Sequence, residues 1–124
     1  MRILIIDDNQ AGREELAILL QLENYEVIEA NNGIQGYELA KKHLPNLIIS
    51  DIIMPDLDGF DTIHEIRSFA LTSRIPFFFL SALTSTTAHI RGLDADEYIE
   101  KPYEPKILLE KIGVYSNKLK KTFI

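Results

Sequence analysis

With 124 residues, 46% of them hydrophobic and 26% charged, the chain is long enough for one packed core and short for two, so a single domain over 1–124 is expected. A formal net charge of −6, with basic residues clustered only at Lys118, Lys120 and Lys121, argues against a nucleic-acid surface, which releases counterions through grouped Lys and Arg. The absence of cysteine excludes disulfides and thiolate metal sites, the apolar run after Arg2 is too short for a signal peptide and ends on two aspartates, and nothing else approaches a membrane span; a cytoplasmic protein is expected.

Taken in order, the chain alternates strand and helix five times. Ile3 to Ile6 is an apolar run that reads as a strand, and Gln10 to Leu22 sets Leu16, Ala17, Leu19 and Leu20 on one helical stripe opposite Arg13, Glu14 and Gln21. Tyr25 to Ala30 alternates enough for an outer, half-exposed strand, and Asn31-Asn32-Gly33 is turn chemistry leading into a helix through Tyr37, Leu39 and Ala40 that Pro45 closes. Leu47 to Ser50 reads as a strand buried on both faces. Phe60 to Phe69 carries Ile63 and Ile66 at helical spacing. Ile75 to Leu80 is the fourth strand, with Pro76 at its start, where the missing N–H does least harm.

The segment Thr84 to Leu93 occupies a helix position, although Ser85, Thr86, Thr87 and Gly92 disfavour a helix interior. Glu97 to Glu100 gives the fifth strand, and Pro105 suits the first turn of a long last helix. Strands separated by helices of this length imply a parallel sheet with right-handed crossovers and helices on both faces, a three-layer α/β/α domain.

In such a sheet ligands bind beyond the carboxyl ends of the strands. The residues at those ends are Asp7 and Asp8, then Asp51, Ser81 and Lys101. Taken singly each has an ordinary reading: Asp7-Asp8-Asn9 caps a helix, Lys101 is a solvated lysine, and Asp56 and Asp58 are loop polarity beside Gly59. His43, His64 and His89 share no metal-ligand spacing.

Taken together, Asp7-Asp8, Asp51 with Met54-Pro55 and Asp58-Gly59, Ser81, and Lys101-Pro102 make the chain resemble the receiver domain of two-component response regulators over essentially its whole length. The resemblance implies the flavodoxin-like strand order 2-1-3-4-5 and a cis Lys101-Pro102 bond. Three carboxylates at one edge need a cation, since two like charges about 4 Å apart repel by roughly 4 kcal/mol at an effective dielectric near 20. All-oxygen ligation selects a hard ion such as Mg²⁺.

Asp51 is then the nucleophile that forms an aspartyl-phosphate, with the Lys101 ammonium and the Ser81 hydroxyl placed to stabilise charge on the phosphoryl oxygens. By resemblance, Asp8, Asp51 and the backbone carbonyl of Ile53 ligate the metal directly and Asp7 acts through water. Tyr98 stands where the family places an aromatic that turns inward when Ser81 moves. The implied function is a phosphorylation-operated switch, not an enzyme with a substrate of its own. It is served by a sensor histidine kinase or phosphotransfer protein and read by an output domain or protein partner. The alternative is a pseudo-receiver that binds partners unphosphorylated. A flavodoxin fits poorly, because the loop after the first strand is acidic where a phosphate cradle is rich in Gly, Ser and Thr.

Several positions depart from the family pattern. Asp94 stands where a Gly is usual, and the interval from Ser81 to Lys101 is about two residues short. Ile107 and Lys111 replace a common acid and a common Arg of the subfamily that dimerises through its last two helices. Ile53 and Leu83 are apolar where polar residues orient a hydrolytic water, which predicts a long-lived phosphoryl group. Leu108, Ile112, Tyr115, Leu119 and Phe123 form a stripe that predicts helix to at least Asn117; from Tyr115 onward it has no sheet left to cover and serves as an extension making a homodimer or linker contact.

Overall fold

The computed structural model describes residues 1–82 and 95–122, with side chains to Leu119. Its strands are β1 (Arg2–Ile6), β2 (Glu26–Ala30), β3 (Leu47–Ser50), β4 (Phe77–Ser81) and β5 (Glu97–Glu100), and its helices are α1 (Gln10–Leu22), α2 (Gly33–His43), α3 (Gly59–Ser68) and α4 (Pro105–Thr122). All strand pairs are parallel, in the order β2-β1-β3-β4-β5 implied by the resemblance.

Burial along the strands follows their place in the sheet. Every residue of β3 and β4, and Ile3 to Ile6 of β1, is buried, as befits central strands covered on both faces; β2 and β5 at the edges are only partly covered. Alternation divides their side chains between two cores. Ile3, Ile5, Ile49 and Phe78 pack with Leu16 and Leu20 of α1 and Leu108 and Ile112 of α4, whereas Leu4, Ile6, Ile48, Phe77 and Phe79 pack with Ala40 of α2 and Ile63 and Ile66 of α3.

Asn9, Asn32 and Asp58 start α1, α2 and α3 by accepting the N–H of Gly12, Gln35 and Asp61 at 2.8, 2.8 and 2.9 Å. The second helix ends on Leu44, a left-handed residue at φ 47° whose N–H returns to the Ala40 carbonyl; Pro45 follows.

The structure departs from the sequence reading at several points. Tyr25 lies outside β2 because its N–H turns back to the Leu20 carbonyl at 3.1 Å. The fourth strand begins at Phe77, not Ile75, since the Ile75 N–H closes a turn onto the Thr72 carbonyl; the Pro76 carbonyl still accepts from Ile48 at 2.9 Å. Tyr115 does find sheet to cover: its ring meets that of Phe78 in β4 edge to face at 5.2 Å. The expected helix Thr84 to Leu93, and with it Leu83, His89 and Asp94, lies outside the described residues.

Candidate functional site

Parallel register brings the strand ends level. Ile6 pairs with Ser50 and Ser81 with Glu100, so Asp7, Asp51 and Lys101 each stand one residue beyond a strand. Each still makes one inter-strand bond. Asp7 N–H donates to the Ala30 carbonyl at 3.1 Å, Asp51 N–H to Ile6 at 2.9 Å and Lys101 N–H to Ser81 at 2.8 Å. Their α-carbons are therefore held by the sheet and not by a loop, which is the rigid support a reacting site needs.

Above that frame the side chains converge. Asp7, Asp8 and Asp51 offer carboxylate oxygens all within 4.8 Å of one another. The Lys101 ammonium donates to Asp7 Oδ2 at 3.0 Å and to Asp51 Oδ2 at 3.1 Å. Burial alone disfavours its charge, but the hydrogen bond to Asp7 and the charge of Asp51 outweigh that, and its pKa stands above the ordinary lysine value. The second carboxylate oxygens of Asp51 and Asp7 are fixed by backbone: Asp51 Oδ1 accepts the Ile52 N–H at 2.7 Å, and Asp7 Oδ1 accepts that of Asn9 at 3.0 Å. The Lys101-Pro102 bond is cis.

These residues open into a cleft of about 900 Å³ lined also by Ile53, Ser81, Glu15 and Tyr103. Ile53 is 62% exposed at its mouth, and Ser81 is buried at the end of β4. Asp56 and Asp58 stay out of the cluster: Asp58 caps α3, and Asp56 turns the loop at φ 66°. Among the described residues this is the acidic group that can hold a cation. Three carboxylates against one ammonium leave two negative charges uncompensated, a donor set of oxygen alone, and a solvent-open side; a divalent hard cation such as Mg²⁺ fits it.

Two features of the site were not evident from spacing. Arg13, read as part of the polar face of α1, turns back and donates to the Asp7 backbone carbonyl at 2.9 Å and to Glu29 Oε1 at 3.1 Å. Ser50 Oγ donates to the Asp51 carbonyl at 2.8 Å. Tyr98 packs its ring toward the α2/α3 core, and its hydroxyl is buried with no hydrogen-bond partner among the described residues. Burial, then the charges of Glu100 and Asp51, push its pKa above the ordinary tyrosine value.

The sequence profile described as the response regulator receiver domain matches residues 3–113. The DNA-binding dual master transcriptional regulator RpaA of Synechocystis is 37% identical over 113 residues, a match that covers 90% of this chain and 47% of that protein. The chain thus spans about half the length of the curated relatives it matches. Among solved structures, Vibrio cholerae chemotaxis protein CheY4 superposes with a TM-score of 0.85 at 27% identity, covering 92% of this chain and 97% of that one. Thermotoga maritima TrrA, solved in complex with Mg²⁺ and BeF, superposes with a TM-score of 0.84 at 32% identity and the same coverage.

Proposed function

The chain belongs to the response regulator receiver domain family, and from that premise we propose that it is a phosphorylation-operated switch whose phosphoacceptor is Asp51. In the reaction the Asp51 carboxylate attacks the phosphorus of a kinase phosphohistidine. A P–O bond forms, the P–N bond breaks, and the imidazole leaves with the electron pair. Asp8, Asp51 and the Ile53 carbonyl, with Asp7 acting through water, would hold Mg²⁺, which would supply the positive charge that makes a phosphoryl group tolerable among carboxylates.

The rest of the chemistry belongs to side chains. Lys101, held between Asp7 and Asp51, is the cation that follows the phosphoryl oxygens as charge develops on them. Ser81 supplies a hydroxyl from the end of β4, and its movement onto the phosphoryl group is the event that Tyr98, whose ring already packs toward the α2/α3 core, answers by a change of rotamer. The changed surface around Tyr98, Glu100 and Tyr103 is what a partner reads. That partner is an output domain or a separate protein, and the acidic character of this domain keeps direct nucleic-acid contact elsewhere. The domain is a phosphoacceptor that assists its own phosphorylation and dephosphorylation, and its donor places it in the cytoplasm.

The observation that carries this reading is the Lys101 ammonium bridging Asp7 and Asp51 inside the three-carboxylate cluster. Incubation with Mg²⁺ and a small-molecule phosphoryl donor, followed by intact mass, tests it. Wild type should gain one phosphoryl group and Asp51→Asn none; a label that persists in Asp51→Asn refutes the assignment.

A further inference from the structure

Arg13 is bonded to the backbone of the site and not to its carboxylates. From α1 its guanidinium reaches back over the loop, with Nη1–H on the Asp7 carbonyl oxygen at 2.9 Å and Nε–H on Glu29 Oε1 at 3.1 Å. Glu29 is placed for this by alternation: Val27, two residues before it on β2, packs into the α1/α4 core, so Glu29 also faces α1. The Arg13 side chain is only 14% exposed, and two of its donors, Nε and Nη1, are engaged at once, which leaves the planar fork little freedom.

The carbonyl that Arg13 holds belongs to the peptide group joining Asp7 to Asp8. That group is planar, so a donor that fixes its oxygen also fixes the direction in which Asp8 leaves it. Asp7 has other anchors: its N–H on Ala30, its carboxylate on Asn9 and Lys101. Asp8 is exposed and depends on the plane it hangs from. We propose that Arg13, held by Glu29, is a positioning residue that orients Asp8 and thereby sets the cation affinity of the Asp7–Asp8–Asp51 cluster. The inference rests on the reading of Asp8 as a cation ligand.

Electrostatics and positioning predict opposite signs for one variant. If Arg13 acted as a nearby positive charge, removing it would tighten Mg²⁺ binding; if it orients a ligand, removing it loosens binding, by about tenfold for a supporting partner of this kind. Mg²⁺ titrated calorimetrically into the folded full chain should therefore bind Arg13→Met about tenfold more weakly than wild type. Arg13→Lys, which keeps one donor for the Asp7 carbonyl, should recover part of the loss. In an Asp8→Asn background, Arg13→Met should cost nothing further, because the residue acts through Asp8.

Arg67→Met is the control for general destabilisation. Arg67 makes the same kind of bonds, to the Ile75 carbonyl at 2.6 Å and to Asp96 at 3.2 Å, and its side chain is 17% exposed, but it clamps the opposite edge of the sheet. It should lower thermal stability and leave Mg²⁺ affinity unchanged. Equal or tighter binding by Arg13→Met overturns the inference, as does an equal loss in Arg67→Met or an additive loss on Asp8→Asn. If wild type binds no Mg²⁺, or Asp8→Asn binds it as wild type does, the cation site itself fails and the inference falls with it. If Asp8→Asn weakens binding and Arg13→Met does not, the site stands and only the role of Arg13 is lost.

Discussion

Gly59 packs directly against the carbonyl oxygen of Asp51: a Cβ at this position would lie 2.4 Å from that oxygen and 2.7 Å from Ile52 Cα. Its N–H also donates to the Ile52 carbonyl at 2.7 Å, so the start of α3 and the loop that follows Asp51 are one unit. The φ of Gly59 is not positive, and the demand for glycine is one of contact. Ala is the better helix former by about 1 kcal/mol, but overpacking against backbone that cannot give costs about 1–3 kcal/mol. Gly59→Ala should therefore lower stability in chemical denaturation and slow Asp51 phosphorylation. A variant as stable as wild type would show that the loop yields.

Lys101 should show opposed effects on cation binding and on switching. Lys101→Met removes an ammonium from beside the cation site, so Mg²⁺ should bind more tightly while the aspartyl-phosphate no longer shifts Tyr98. The pH dependence follows from the raised pKa. A group whose folded pKa lies above its unfolded value of 10.5 contributes stability that is fully present below 10.5 and is lost as pH rises through the folded value. The stability difference between wild type and Lys101→Met should thus be flat from neutral pH to about 10 and shrink only above that. A difference that changes near neutrality would point to another group.

The central strands were legible because their faces are both covered: Leu47-Ile48-Ile49 and Phe77-Phe78-Phe79 could be little else than buried strand, and an acid or serine after an apolar run marks a strand end. That is why Asp7, Asp8, Asp51 and Ser81 are legible at one edge from the sequence, and Lys101 with them as the residue after the fifth strand, ahead of Pro102. What escaped depends on backbone partners that the sequence does not name. Tyr25 and Ile75 looked like strand by composition, but their N–H groups close turns onto Leu20 and Thr72. Arg13 looked like surface polarity because its acceptor, the Asp7 carbonyl, is supplied by every residue type alike. Tyr115 reads as part of an uncovered tail because helix periodicity says which face is apolar and not how far the sheet beneath extends.

Ile53 bears on how long the signal lasts. It stands two residues after Asp51, 62% exposed at the cleft mouth, and has no group to hold a water in line with the phosphorus. The aspartyl-phosphate should be slow to hydrolyse for a receiver. Ile53→Asn together with Leu83→Glu should shorten its half-life, read as decay of the phosphorylated mass after donor removal. An unchanged half-life would show that the apolar mouth does not set the rate.

The end of α4 is tied to the core through Tyr115 but exposes Val114, and Lys118 and Leu119 border a groove with Pro45, Leu71 and Ile75. A contact between copies or with an output segment is expected along this part of the helix. Removing Ser116 to Ile124 should lower self-association in sedimentation, or affinity for an output partner, and leave Asp51 phosphorylation intact. If association is unchanged, the tail acts only as a spacer.

Tyr98 offers a test of switching that needs no phosphoryl group. Its hydroxyl is buried without a hydrogen-bond partner among the described residues, an arrangement that costs the state containing it. Removing the oxygen while keeping the ring eliminates the cost without opening a cavity. Tyr98→Phe should therefore raise the stability of the unphosphorylated protein by about 1 kcal/mol, at the low end for a buried hydroxyl because the residue as a whole is half-buried. If the phosphorylated form gives the hydroxyl a partner, the same substitution destabilises that form relative to wild type, and the two shifts act in the same direction on the equilibrium. Thermal denaturation with and without beryllofluoride measures both: Tyr98→Phe should melt higher than wild type without it and gain less from its addition. Equal gains in the two proteins would mean that the hydroxyl has the same surroundings in both states, and Tyr98 would then be an ordinary half-buried strand tyrosine.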